Sequence, residues 1–184
     1  MRITGGQARG RRLASSKGLK IRPTSDKVRE AIFNLIGQDM TGLDVLDLFA
    51  GTGSLGIEAL SRGASDVVFI DHSIQSIRLI KKNLLLCGHE SAGRILKRDL
   101  IRGLPRKPLP INKFDIVFLD PPYGKGFILP ILRELIEKEV LASPATVIAE
   151  SSKIDDHSPH LEKIKLINSR VYGLTRITIY QYPE

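Results

Sequence analysis

The order of apolar and polar positions divides the 184-residue chain into three stretches. Residues 1–14 carry isolated apolar points, Ile3 and Leu13, around Gly5-Gly6 and Gly10. They predict a small β-hairpin or a basic arm. Val28, Ala31, Ile32, Leu35 and Ile36 then recur on one helical face, with Thr24 or Ser25 as cap and Gly37 or Gly42 as stop. From residue 43 the period switches repeatedly. Strand patterns at 43–49, 66–70, 92–97, 114–119 and near 146–150 alternate with helix patterns at 54–62, 73–87 and about 127–141. A loop with Pro105, Pro108 and Pro110 precedes the 114–119 strand. The tail reads as two strands, 161–172 and 174–182, folded about Gly173.

Strands alternating with helices mean parallel strands joined by crossovers. The expected fold class is therefore α/β, with five βα-like units and a closing antiparallel hairpin. Residues 1–40 form a basic arm and helix ahead of a main domain at 41–184. No internal repeat and no low-complexity segment interrupts this plan.

Composition narrows the class. An apolar content of 42% is that of a soluble globular chain. No apolar run is long enough to span a bilayer, and the basic, Gly-rich beginning carries no apolar signal core. The single Cys87 cannot form an internal disulfide, and its place in an apolar helix pattern suits a buried thiol in a reducing cytoplasm. No metal is called for. The net charge of +8 is unevenly spread. Residues 1–30 hold nine Lys/Arg (Arg2, Arg9, Arg11, Arg12, Lys17, Lys20, Arg22, Lys27, Arg29) against Asp26 and Glu30, a surplus of +7. The other 154 residues, with 19 basic and 18 acidic, are at +1. Charge concentrated in this way reads as a polyanion contact. A second basic run comprises Arg94, Lys97, Arg98, Arg102, Arg106, Lys107 and Lys113.

The chemistry gathers at two strand ends. The buried strand 114–119 runs into Asp120-Pro121-Pro122-Tyr123-Gly124. Proline cannot donate to a sheet ladder, so the strand stops there and leaves a stiff corner of acceptors. Asp120 and a proline carbonyl suit a planar –NH₂ group with two donors, and Tyr123 can stack on the ring that carries it. Open α/β sheets bind ligands at this end. The other end is Asp47-Leu48-Phe49-Ala50-Gly51-Thr52-Gly53-Ser54-Leu55-Gly56, where Gly51 and Gly53 permit a tight turn and close approach of backbone to a ligand. Asp71 ends the next strand, placed to take the hydroxyls of a ribose.

This spacing also satisfies the dinucleotide fingerprint, so an NAD-dependent oxidoreductase is the rival of a different class. Asp47 weighs against it. A carboxylate beside the loop repels a pyrophosphate but suits a ligand bearing an ammonium and a sulfonium. The helix and basic arm ahead of the first strand also depart from the usual dinucleotide domain. A non-catalytic RNA-binding module would have no need of Asp47, Asp71 and Asp120 in these places.

Asp120-Pro121-Pro122-Tyr123 resembles the motif of S-adenosylmethionine-dependent amino-methyltransferases, and the Asp47–Gly53 loop is similar to their first motif. Together with Arg22-Pro23-Thr24-Ser25-Asp26-Lys27-Val28-Arg29-Glu30-Ala31-Ile32-Phe33-Asn34, they make the chain resemble the RsmD family of bacterial 16S ribosomal RNA guanine-N2 methyltransferases (guanine 966). The resemblance runs from Met1 to about Tyr182. It implies a Rossmann-like seven-stranded methyltransferase sheet and S-adenosyl-L-methionine as cofactor, with S-adenosyl-L-homocysteine as product. It implies Asp120, Pro121, Pro122 and Tyr123 as catalytic. It places Arg22 and Thr24 near the methionine end of the cofactor, Asp47, Phe49, Gly51 and Gly53 in its loop, and Asp71 and His72 beside its ribose and adenine. Asp99 would take the adenine amine and Leu100 would pack on the ring. Arg2, Arg9, Arg11, Arg12, Lys17 and Lys20 would contact RNA, and residues 1–40 would also close the cofactor pocket. The expected partner is 16S rRNA within the small ribosomal subunit, met by a monomer in the cytoplasm. A DNA or other RNA amino-methyltransferase is the nearer alternative; a protein-glutamine methyltransferase would more typically carry Asn at position 120.

Overall fold

The computed structural model of the chain describes residues 1–15, 25–105, 109–155 and 161–183. Its centre is one seven-stranded sheet in the order β3-β2-β1-β4-β5-β7-β6. The strands are β1 (Asp44–Leu48), β2 (Asp66–Asp71), β3 (Gly93–Lys97), β4 (Phe114–Leu119), β5 (Leu141–Ser152), β6 (Lys165–Tyr172) and β7 (Thr175–Tyr182). β1 to β5 are parallel, and β7 inserts antiparallel between β5 and β6. The helices are α1 (Asp26–Ile36), α2 (Ser54–Ser61), α3 (Ile74–Cys87) and α4 (Ile128–Glu137). A 3-10 turn, Leu100–Arg102, follows β3.

Alternation along each buried strand sends successive side chains to opposite faces. Val45, Val67, Phe69, Ile116 and Phe118 pack with α1, α2 and α3. Leu46, Leu48, Val68, Ile70, Val117 and Leu119 pack with α4 and the 3-10 turn. The odd-numbered face of β1 is also the face of Asp47, which therefore points at α2. α2 lies close against the sheet there: a Cβ added to Gly56 would stand 2.4 Å from the Phe69 ring. Gly56 thus acts as the glycine of close helix–strand packing.

Two expectations need correction. The helix read over about 127–141 ends at Glu137, and its last positions belong to a longer β5 that starts at Leu141. Apolar Val140 and Leu141 fit either period, and the pairing of Phe114 with Leu141 decided for strand. Second, β5 leads into the hairpin, so crossovers follow only β1 to β4, and that after β3 holds a 3-10 turn. Of the two readings of the first residues, hairpin or arm, the structure has the hairpin, and it is docked on the domain. Ile3 donates to Arg11 (2.9 Å), and Ile3, Ala8 and Leu13 are buried in the core cluster of α1 to α3.

A buried carboxylate holds this hairpin down. Glu58 on α2 accepts from Thr4 and Gly5 amides (2.9 and 2.7 Å) and from the guanidiniums of Arg29 (3.0 Å) and Arg62 (2.8 Å). Arg29 is fully buried and also bonds Asp26 and the Arg2 carbonyl. It does not belong to the nucleic-acid surface that its sequence neighbourhood predicted. Its charge is needed where two chain segments meet over an acid.

Candidate functional site

The carboxyl ends of β1, β2 and β4 meet where the strand order reverses, between β1 and β4. This is where open α/β sheets place ligands. Leu48 pairs with Ile70 on one side and with Leu119 on the other. The register therefore sets the Phe49–Gly53 loop, Asp71 and Asp120 along one edge. The Asp120 amide donates to the Leu48 carbonyl (3.4 Å), so the two loops leave the sheet side by side.

The β1–β3 side is fixed by backbone amides on carboxylates. The loop turns through left-handed backbone at Phe49 (φ 58°), Gly51 (φ 56°) and Gly53 (φ 76°). A bulky residue at positive φ is uncommon. Phe49 is held there with its ring stacked on Phe127 (centroids 5.9 Å). Asp71 is buried and accepts from the Gly51 amide at one oxygen (2.9 Å) and from Ser73 at the other (2.8 Å). Each oxygen keeps a further lone pair for a ligand hydroxyl. Asp99 accepts from the Ile101 amide (3.1 Å), and Leu100 beside it is buried. His72 is mostly exposed, with Nδ1 3.6 Å from Asp71. These acceptors and the glycine turn fit a ligand with a ribose and an amine-bearing ring.

Asp47 is not on the open edge. It is buried, and its Oδ2 accepts from the Gly56 amide (3.0 Å), fastening the start of α2 to β1. Burial pushes its carboxyl up to about 8, which the Gly56 bond opposes and the Asp71 charge reinforces. Loss of hydration disfavours the charged form more than one amide can restore.

The β4 side is built from prolines and side chains. Pro121 is buried, while Pro122 and Tyr123 are exposed. Beside them lies a shallow, open hollow lined by residues that include Tyr123, Phe127, Glu150 and Asp155. The Tyr123 hydroxyl donates to Glu150 (2.6 Å) and lies 3.2 Å from Thr175 Oγ1. Burial of the hydroxyl, and next its bond to Glu150, raise the phenol above its ordinary range. An exposed aromatic ring beside a stiff proline corner suits a flat ring.

Arg2, Arg9, Arg11 and Arg12 are exposed on the docked hairpin, as are Arg94, Lys97, Arg98 and Arg102 around β3. Lys17, Lys20, Arg22 and Thr24 lie outside the described residues, as do Arg106 and Lys107. The α1 cap is Ser25, whose side chain accepts from Val28.

Sequence reasoning passed over four residues near these loops. Phe127, Glu150 and Thr175 come from three elements, and only Glu150 left a signal, an acid closing an apolar strand. The fourth is Asn83, fully buried on the stripe of Ile80, Leu84 and Cys87. It bonds both the amide and carbonyl of Ala14 (2.7 and 3.1 Å) and the carbonyl of Thr52 (2.9 Å), tying the hairpin to the loop. A polar residue on an apolar helical stripe was its visible mark.

Residues 1–181 match the family described as "Conserved hypothetical protein 95". The chain is 34% identical over 182 residues to "Ribosomal RNA small subunit methyltransferase D" of Escherichia coli (strain K12), covering 98% of this chain and 89% of that protein. The solved structure of Escherichia coli yhhF superposes with a TM-score of 0.87 at 32% identity, covering 100% of this chain and 98% of that one. A Salinibacter ruber RNA methyltransferase, solved with S-adenosyl-L-homocysteine, shares the fold (TM-score 0.65, 18% identity, 88% of this chain and 94% of that one).

Proposed function

The chain belongs to the RsmD family of ribosomal RNA methyltransferases, with a Rossmann-like methyltransferase fold, and on that premise we propose that it methylates the exocyclic N2 of a guanine of 16S rRNA, the one at position 966. The observation that carries this reading is the pairing of Leu48 with Leu119. It brings Asp120 and Pro121, read as the acceptor corner for the amine, next to Gly51, Gly53 and Asp71, read as the nucleoside site.

S-adenosyl-L-methionine supplies an activated methyl group on a sulfonium. Asp71 takes the ribose hydroxyls, and Asp99 and Leu100 hold the adenine. Phe49, Gly51 and Gly53 would shape the loop around the methionine portion. Asp47 acts from behind, by keeping α2 and the loop in register. On the other side Asp120 and the Pro121 carbonyl accept the two N–H bonds of the amine. That turns the nitrogen lone pair towards the methyl group and stabilises the positive charge that grows on nitrogen. Tyr123 stacks on the extruded base, a contact of roughly 1–3 kcal/mol. Alignment and exclusion of water do most of the work, since the methyl is already activated. The proton can leave to water through Asp120.

The exposed arginines of the hairpin and β3 edge hold phosphates. A 184-residue chain has little surface for reading sequence, so the assembled small subunit supplies the shape that selects the guanine. The enzyme acts as a monomer in the cytoplasm, where subunits mature.

The test is transfer of labelled methyl to small subunits lacking the modification, beside protein-free 16S RNA and duplex DNA, with the label mapped by nuclease digestion. Label on one guanine of the subunit is expected. Label on DNA alone, or on a different base, would move the activity to another amino-methyltransferase class.

A further inference from the structure

We propose that Glu150 and Thr175 are positioning residues that lock the Tyr123 ring through its hydroxyl, so that the ring face is presented to the target base before the base arrives. This rests on the reading of the site given above. Tyr123 is exposed as a residue, yet its hydroxyl end is sequestered between two buried residues, Glu150 (6% exposed) and Thr175 (5%). Glu150 closes the apolar run of β5, and Thr175 opens β7. The two strands are paired, Ser152 with Thr175 and Glu150 with Ile177, so the anchor is part of the sheet. To swing into solvent the ring would have to break a 2.6 Å hydrogen bond to a buried carboxylate. Charge-assisted bonds of that length are among the strong ones.

Two consequences follow. The hydroxyl is committed to the protein, so what Tyr123 offers a ligand is a face and not a donor. The ring's place is also settled in advance, so the base meets a platform that needs no ordering when it binds. Gly124 and Gly126, both at positive φ, line the same hollow and add no side chain to it.

Y123F keeps the face and removes the anchor. E150A removes the anchor from the other end. E150Q keeps a carbonyl that accepts from the phenol. With small subunits as substrate, Y123F and E150A are each expected to raise KM about 5–10-fold with kcat within about twofold, and E150Q to stay near wild type. The double variant Y123F/E150A is expected to be no worse than either single one, since both cut the same bond. Binding of S-adenosylmethionine, measured by calorimetry, should be unchanged in all of them. Additive losses in the double variant, or a wild-type KM in Y123F, would overturn the lock. A second measurement reads the ring without activity. In ¹³C-tyrosine-labelled protein, the Tyr123 ring signals should show rotamer averaging in E150A and not in E150Q. Signals identical in E150A and wild type would also overturn it. If the wild-type chain transfers no methyl to subunits, the functional reading fails, and the ring signals alone decide the lock.

Discussion

The two sides of the cleft between β1 and β4 are held by different kinds of bond. On the β1–β3 side, acidic side chains accept backbone amides: Asp71 from Gly51 and Ser73, Asp99 from Ile101, and the neutral carboxyl of Asp47 from Gly56. On the β4 side, stiffness comes from Pro121-Pro122 and from a side-chain lock, Tyr123 on Glu150 and Thr175. Amides cannot leave a carboxylate without disturbing the fold, so the first side is preset at the level of the backbone. The second side opens on a hollow, with a ring whose face is available. On the proposed reading, the first side would take the small cofactor and the second the RNA base.

If the two sides are separate, a change on one should leave the other's ligand untouched. Asp120→Ala should lower kcat roughly 10²–10³-fold, the scale for removing one group aimed at developing charge, and leave the cofactor Kd within about twofold. A matching loss of cofactor binding would mean that the sides are not separate. Asp71→Ala should do the reverse. Cofactor Kd, read by calorimetry, is expected to rise about 10–100-fold, the worth of hydrogen bonds to a charged acceptor, with the subunit KM little changed.

A smaller effect tests how the β1 side is held. The Asp47 carboxyl stays neutral in the fold up to about 8 and ionises near its ordinary value of 3.8 when the chain unfolds. A raised carboxyl gives stability that is full below that lower value and falls as pH rises towards the upper one. The slope is at most about 1.4 kcal/mol per pH unit. Asp47→Asn retains an acceptor for the Gly56 amide and should flatten urea-denaturation stability between pH 5 and 7. Equal slopes in both proteins would show that Asp47 is ionised in the fold. The smallest effect belongs to the rim. Arg11→Ala and Arg12→Ala should each reduce the salt slope of RNA binding by about 0.7, one phosphate contact apiece, without altering kcat.

Much of this was legible in the chain. The fold class, the parallel core and the closing hairpin followed from period and punctuation. So did the positions of the glycine loop and of Asp120-Pro121-Pro122-Tyr123. These signals are local: a strand end, a turn, a proline. Arg29 shows the limit. By composition it belonged with its basic neighbours, but it is buried against Glu58, 29 residues away. Charge counts carry no information about which side of a helix faces an acid on another.

What the sequence determined by itself was therefore which groups exist at each strand end, because backbone preference and hydrophobic period act over a few residues. What the tertiary structure decided was how those groups are used. Asp47 faces α2 because of its parity in β1. The hairpin is fastened by Glu58 and Asn83, and Tyr123 is anchored by Glu150 and Thr175, 27 and 52 residues on. Those contacts cross the sheet, and the strand order β3-β2-β1-β4-β5-β7-β6 that creates them is a property of the packed molecule.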